Sequence, residues 1–66
     1  MVIVSDQAEL DAALSSEEDE IFCETGFWYE ITDPPAGVAI ILESGSGITI
    51  NGQPSAAINT EERIQF

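Results

Sequence analysis

This chain has no lysine, no histidine, a single arginine and a single cysteine among its 66 residues. Without histidine, neither a serine nor a cysteine nucleophile has an imidazole base, and Cys23 has no basic neighbour in sequence that would lower the pKa of its thiol. One cysteine and no histidine are also a poor ligand set for zinc. We therefore expect a protein that is not an enzyme and that binds no cofactor.

Two further chemistries find little support in the motifs. The run Glu17–Glu20 offers hard oxygen donors but lacks the D-x-[DN]-x-[DN]-G ladder that folds a loop around calcium, so we expect no metal site. The segment SGSGITING lacks both the spacing and the lysine of a phosphate-binding loop, so its glycines are interpreted as turns. Composition leaves paired carboxylates for glycoside cleavage open, although a chain this short has little room for a sugar cleft.

Long apolar runs are missing as well. No stretch approaches the roughly 20 apolar residues of a membrane span, and the apolar start MVIV is much shorter than the core of a signal peptide. A lone cysteine cannot form an internal disulfide, which fits a reducing compartment. We expect a cytoplasmic protein that does not bind membranes.

What the chain does contain is negative charge. Thirteen acidic residues against one arginine give a net charge of −12. Such a field repels nucleic acid and attracts basic surfaces, so the expected partner is a basic protein. The densest charge, Glu17–Glu20, precedes the aromatic run Phe27–Tyr29, which includes the only tryptophan.

The pattern of apolar residues and turn signals predicts a single α+β domain over residues 1–66. Residues 2–4 read as a strand, and Asp6 followed by Glu9 is a capping-box signal for a short helix that ends near Ser15. The later apolar runs predict strands, with a strong hairpin signal at Asn51-Gly52. The expected architecture is one short N-terminal helix packed on a small sheet of five or six short strands.

The segments IFCE and FWYEI flank Thr25-Gly26, which predicts two strands joined by a tight hairpin. In that register, one face carries the expected core residues, and the opposite face is exposed. The core face holds Phe22, Phe27, Tyr29 and Ile31. The exposed face holds Cys23, Trp28 and Glu30, with Ile21 beside them.

Two thirds of the chain resembles a known scaffold. The run VIVSDQAELDAAL, followed by EIFCETGFWYEITDPPAGVAI, is similar to the opening module of bacterial and phage β-solenoid proteins, in which a strand and a short helix lead into repeated coils. This resemblance implies a helix-capped short β-solenoid as the alternative fold. It also implies a structural or assembly module of a phage particle as the alternative function.

The chain's small size and extreme acidity, together with the acidic run beside FWYE, resemble the small anti-CRISPR proteins of phages and mobile elements, in particular type I-C inhibitors. That resemblance implies a monomer in the cytoplasm of the bacterial host. Its partner would be a Cas protein, namely the large subunit or a backbone subunit of the surveillance complex. Binding to the basic DNA-binding surface would block recognition of target DNA without catalysis and without direct contact with nucleic acid.

The candidate partner-binding residues follow from the spacing of charge. Side chains at i and i+2 of a strand lie about 6.6 Å apart, so Glu18, Glu20 and Glu24 would display carboxylates at a spacing close to that of DNA phosphates. Arginine binds carboxylate and phosphate with similar geometry, and a buried tryptophan would anchor the contact. The predicted residues are Glu17, Glu18, Asp19, Glu20, Glu24, Trp28 and Glu30. Alternatively, the carboxylates are only a solvated surface, or the mimicry targets another DNA-binding protein, such as a restriction, repair or nucleoid protein.

Overall fold

The computed structural model describes residues 1–66, which form one helix and seven strands. In chain order the elements are β1 (Val2–Val4), α1 (Gln7–Ser15), β2 (Glu20–Cys23), β3 (Trp28–Ile31), β4 (Ala39–Leu42), β5 (Gly47–Ile50), β6 (Gln53–Ala56) and β7 (Glu62–Gln65). The α+β class and the short N-terminal helix are confirmed. The strands number seven rather than five or six, and they form two sheets. No helix is long and apolar enough to cross a membrane.

The two sheets are built from stacked coils of the chain. Sheet A has the strand order β1-β2-β4-β7, and sheet B has the order β3-β5-β6. Val2 pairs with Ile21, and Ile21 pairs with Ile40, all in parallel strands, so successive strands of sheet A lie 19 residues apart. In sheet B, Tyr29 pairs with Ile48 at the same offset. The chain therefore passes through both sheets in turn, as in the helix-capped short β-solenoid that was the alternative prediction.

A short repeat in the sequence explains this winding. Residues 21–26 (IFCETG) and 40–45 (IILESG) share two core-facing apolar positions, a glutamate, a hydroxyl residue and a glycine. Gly26 and Gly45 have φ values of 96° and 93°, in the left-handed region that favours glycine. At both positions the chain turns a corner, leaving sheet A and entering sheet B.

The predicted hairpin between residues 21–24 and 27–31 is therefore wrong. Its two strands, β2 and β3, lie in different sheets and do not pair. Thr25-Gly26 forms the corner between the sheets, which changes the faces of β2. Cys23 and Ile21 are fully buried instead of exposed, and Phe22 lies on the outer side of sheet A instead of in the core.

A single apolar core fills the space between the two sheets. Tyr29 and Ile31 lie in it as predicted, whereas Phe27 is 38% exposed and only touches the core, with its ring edge-on to Tyr29. The single proton of the Tyr29 hydroxyl is shared between the carbonyls of Glu24 at 2.9 Å and Val4 at 3.3 Å, so the hydroxyl links sheet B to sheet A. The fully buried side chains are Tyr29, Leu10, Ile21, Ile40, Leu42, Ile48, Val4 and Cys23.

Helix α1 closes one end of the coils. Asp6 is its N-cap and accepts from the Glu9 backbone N–H at 2.8 Å, while Glu9 accepts from the Ser5 N–H at 2.7 Å. This is the predicted capping box with the return bond shifted one residue earlier. The Gln7 side-chain amide both donates to the Glu30 carbonyl and accepts from the Glu30 N–H, each at 2.8 Å, so it pairs with the free edge of β3 as a strand would.

Two antiparallel strands close the other end. β6 returns along β5 through the predicted Asn51-Gly52 turn, in which φ is 50° and 83°. β7 pairs with β4, which places Arg63 beside Ile41. The chain thus completes two coils, and its last two strands run against the coil direction.

Candidate protein-binding surface

Side chains alternate across each sheet, so each sheet has a core face and an outer face. On the outer face of sheet A, Ile3 pairs in register with Phe22, and Phe22 with Ile41. We call these three side chains the apolar row. Adjacent strands lie about 4.8 Å apart, so the row forms a continuous strip across three strands. Ile3 is 58% exposed, and the other two are half-buried.

Carboxylates lie on both sides of the apolar row. Glu20, the first residue of β2, and Glu24, the residue after β2, flank Phe22 and share its outward orientation. The only salt bridge of the protein joins Glu20 to Arg63 at 3.1 Å, and both side chains are substantially exposed. Glu20 therefore presents less net charge than the sequence suggests, and Phe22 interrupts the expected line of carboxylates.

The three acids before β2 form a separate feature, which we call the acidic loop (residues 17–19). Glu17 adopts a left-handed conformation with φ of 62°, which turns the chain out of α1. The Asp19 carbonyl accepts from the Ala39 N–H at 2.9 Å, so the loop is tied to the start of β4. Glu18 lies in this loop and not on the strand face with Glu20 and Glu24. The predicted strand-spaced array of these three carboxylates is therefore absent.

Sheet B presents Trp28 and Glu30 on its outer face, as predicted from their alternation with Tyr29 and Ile31. Trp28 is 52% exposed, and its indole N–H donates to the Thr49 hydroxyl at 2.7 Å. The ring lies across Gly47, its in-register neighbour on β5, and a Cβ atom at Gly47 would collide with it. Gly47 is buried under the indole for this reason.

The structure thus divides the predicted residues among three places. Glu17, Glu18 and Asp19 lie in the acidic loop, and Glu20 and Glu24 lie on the outer face of sheet A. Trp28 and Glu30 lie on the outer face of sheet B, on the other side of the shared core. Trp28 is therefore carried by a different sheet from Glu20 and Glu24 and does not share a sheet face with them.

Sequence reasoning missed several residues that shape these surfaces. Gly47 and Thr49 position Trp28, and Gln7 fixes the backbone of Glu30. Ile3 and Ile41 complete the apolar row. The signal that would have found them is the 19-residue repeat, because aligning residues 21–31 with residues 40–50 places Trp28 over Gly47.

The buried titratable groups are poorly suited to chemistry. Burial raises the pKa of the Cys23 thiol from 9.0 to about 12 through desolvation, so the thiol stays protonated. Burial raises the pKa of the Tyr29 hydroxyl to about 12, and the Glu24 carboxylate and, once its thiol ionises, Cys23 reinforce this shift. No group of three or more histidine, cysteine or acidic side chains is arranged to hold a metal ion. Every buried side-chain polar atom has a hydrogen-bond partner.

What this arrangement offers is a negatively charged surface with one fixed aromatic side chain. It contains the acidic loop, an apolar strip on sheet A and an oriented indole on sheet B. Comparisons of the chain with protein-family models, with curated proteins and with solved structures found no match.

Proposed function

We propose that this protein is a non-enzymatic inhibitor that occupies the basic DNA-binding surface of another protein and prevents that protein from recognising DNA. The observation that carries this proposal is the charge imbalance. A net charge of −12 is spread over a surface of 3864 Å², with one salt bridge in the whole molecule. A DNA-binding surface has the complementary field, which attracts such a protein over distances near the Debye length.

The target that we propose is the type I-C CRISPR surveillance complex, on a Cas protein of its large or backbone subunit, in the cytoplasm of the bacterial host. The resemblance to small acidic anti-CRISPR proteins supports this choice. In this proposal the inhibitor is a monomer that contacts no nucleic acid itself, and its carboxylates occupy arginine and lysine side chains that otherwise bind DNA phosphates.

In this proposal, two regions make different contributions to binding. The acidic loop, with Glu17 and Asp19 exposed, raises the rate of encounter. The half-exposed Trp28 contributes the short-range energy that long-range charge lacks, because binding energy concentrates in a few aromatic side chains.

A competition assay tests the proposal. Purified type I-C surveillance complex is mixed with labelled target DNA, with and without this protein, at low and at physiological salt. We expect loss of DNA binding, more complete at low salt. Intact DNA binding at both salt concentrations would contradict the proposal. Repeating the assay with restriction, repair and nucleoid proteins tests the same mimicry against other targets.

A matched pair of variants shows whether the position of the charge matters. Glu17→Gln with Glu18→Gln removes two adjacent charges from the acidic loop before β2. Glu61→Gln with Glu62→Gln removes two adjacent charges at the start of β7, at the opposite end of sheet A. We expect the first pair to weaken inhibition more than the second. Equal weakening would mean that only total charge matters and that the acidic loop has no special role.

A second candidate function is a phage assembly module of the β-solenoid type, and the 19-residue stacking of parallel strands favours it. The outer edge of β1 is unpaired. The Val4 carbonyl accepts a hydrogen bond on the β2 side, so the N–H and carbonyl of Ile3 point away from β2 and are free to pair with a further strand. Two features oppose stacking of further coils on sheet B: Gln7 already pairs with the edge of β3, and β6 contains Pro54, which has no N–H. Mass measurement in solution separates the candidates, because an assembly module is an obligate oligomer and the inhibitor is a monomer.

A further inference from the structure

We propose that the outer face of sheet B holds an arginine side chain of the partner, with its guanidinium group stacked on the Trp28 indole and hydrogen-bonded to the Glu30 carboxylate. This inference deepens the proposed function and rests on it for the choice of a basic protein as partner. It adds a recognition chemistry, since charge alone does not distinguish arginine from lysine.

The first step in the argument is that the indole is fixed before any partner arrives. The indole N–H of Trp28 is bound to the Thr49 hydroxyl at 2.7 Å, and the ring lies on Gly47. Gly47 does not have a left-handed backbone, so the space that its missing side chain leaves for the ring is what requires glycine there. One face of the indole is therefore covered by β5, and the other is open to solvent. An oriented ring loses little conformational entropy when a partner stacks on it.

The second step is the position of Glu30. It pairs in register with Thr49, the residue that holds the indole N–H, and it shares the outer face with Trp28. Side chains at i and i+2 of a strand lie about 6.6 Å apart on one face, so a guanidinium group stacked on the Trp28 indole is within reach of the Glu30 carboxylate. The Glu30 N–H and carbonyl are both bound to the Gln7 amide, which fixes the backbone that carries this carboxylate.

The third step is that no cation of this protein neutralises Glu30. The only basic side chain, Arg63, is bound to Glu20 on the outer face of sheet A. A second carboxylate, Asp11, lines the same hollow as Glu30, a space of about 560 Å³ between α1 and β3. The charge on this side of the molecule is therefore negative, and the complementary occupant is a cation.

The shape of the site selects arginine over lysine. A guanidinium group is planar, stacks on an aromatic face and binds a carboxylate through two parallel N–H bonds. A lysine ammonium group is a strongly hydrated point charge, so the flat ring and the adjacent carboxylate suit it less well.

Nuclear magnetic resonance tests this inference directly, because the single tryptophan gives a single indole N–H signal. The full chain is titrated with capped tetra-arginine and with capped tetra-lysine, which carry equal charge. We expect the indole signal to shift with tetra-arginine and to report an affinity at least about threefold tighter than that for tetra-lysine, given the size of a cation–π contact at an exposed site.

Three variants assign the preference to this site. Glu30→Gln is expected to remove the preference for arginine, whereas Glu24→Gln, which removes the same charge from the outer face of sheet A, is expected to keep it. Thr49→Val releases the indole N–H with little change in volume and is expected to reduce the preference while the fold is retained.

Equal affinity for the two peptides, or a Glu30→Gln variant that keeps the parent's preference, would overturn the proposal. The DNA competition assay separates this outcome from failure of the proposed function. A protein that prefers tetra-arginine but leaves DNA bound to the surveillance complex keeps the arginine site and loses the proposed function. A protein that displaces DNA without this preference loses the arginine site alone.

Discussion

On the outer face of sheet A, three apolar side chains form the apolar row, and the single arginine of the protein forms a salt bridge with a neighbouring glutamate. On the outer face of sheet B, by contrast, a hydrogen bond holds one aromatic ring in place, and the glutamate on that face has no cationic partner. Both faces are carried by the same core and the same 19-residue coil. They differ because Gly47 on β5 makes room for a ring on sheet B, while Ile41 fills the equivalent outer position on β4.

In the proposed function, the two faces meet two different requirements of binding. Sheet A places its charges in the open, where water and Arg63 weaken them. Sheet B places one large side chain where hydrogen bonding and packing fix its orientation. A rigid aromatic contact depends little on salt, while exposed charge acts at a distance and is screened.

The largest expected effect tests whether the two sides of sheet A are assigned correctly. Leu42 and Ile41 are consecutive residues of β4, with Leu42 in the core and Ile41 on the outer face. We expect Leu42→Ala to lower the free energy of unfolding by about 2–5 kcal/mol, through lost burial and a cavity, and Ile41→Ala to lower it by less than half as much. Chemical denaturation measures both. Equal losses would mean that Ile41 lies in the core and that the apolar row does not exist as described.

The next effect tests the core that the two faces share, at alkaline pH. The pKa values of Cys23 and Tyr29 are raised to about 12 in the folded protein, so both groups favour folding while protonated. We expect the free energy of unfolding to fall between pH 9 and pH 12, because the unfolded chain loses these protons first. Denaturation across this range is the measurement.

The variant Cys23→Val isolates the contribution of Tyr29 in that experiment. Its loss of stability should begin nearer pH 10, the ordinary pKa of tyrosine. An unchanged profile in this variant would show that Cys23 does not contribute to the alkaline transition.

A smaller effect is expected for the hydrogen bond that holds the indole on sheet B. Thr49→Val should cost about 0.5–1.5 kcal/mol of stability and allow the ring to move, which changes the fluorescence of the single tryptophan. Thr32→Val, at an exposed threonine just after β3, is the control and should leave the fluorescence unchanged. Identical spectra for the Thr49→Val variant and the parent would mean that the bond does not orient Trp28.

The smallest effect belongs to the salt bridge on sheet A. Arg63→Gln should change stability by no more than about 1 kcal/mol, since exposed ion pairs contribute little. Because the substitution also removes the only positive side chain, the variant should gain more stability than the parent when salt is added. Denaturation at two salt concentrations measures both quantities, and a loss of several kcal/mol would contradict the interpretation of Glu20 and Arg63 as a weakly coupled surface pair.

The local parts of the fold could be predicted from sequence, because their signals lie within a few residues. Asp6 and Glu9 cap α1, and Asn51-Gly52 forms the turn between β5 and β6. Local signals could not distinguish the corner at Thr25-Gly26 from a hairpin turn, because a corner and a hairpin turn both place a glycine after a strand. What distinguishes them is pairing 19 residues away, which local turn chemistry does not report.

The same limit applies to the candidate surface. The exposure of Trp28 and Glu30 follows from alternation with Tyr29 and Ile31, and it was predicted. Their separation from Glu20 and Glu24 depends on which sheet each strand joins, so a wrong hairpin placed them near each other. The support under the indole, from Gly47 and Thr49, is also contributed by a strand one coil further along the chain.

Binding kinetics on immobilised type I-C surveillance complex test the division of labour between charge and aromatic contact most directly. We expect the Glu17→Gln and Glu18→Gln double variant to associate more slowly, with its dissociation rate little changed, and this difference to vanish at high salt. We expect Trp28→Ala to dissociate faster by roughly 30-fold or more, with association little changed, as for a hot-spot tryptophan. The account assigns the association rate to the acidic loop and the dissociation rate to the outer face of sheet B. It would be contradicted if both variants changed the same rate constant or if neither variant changed either one.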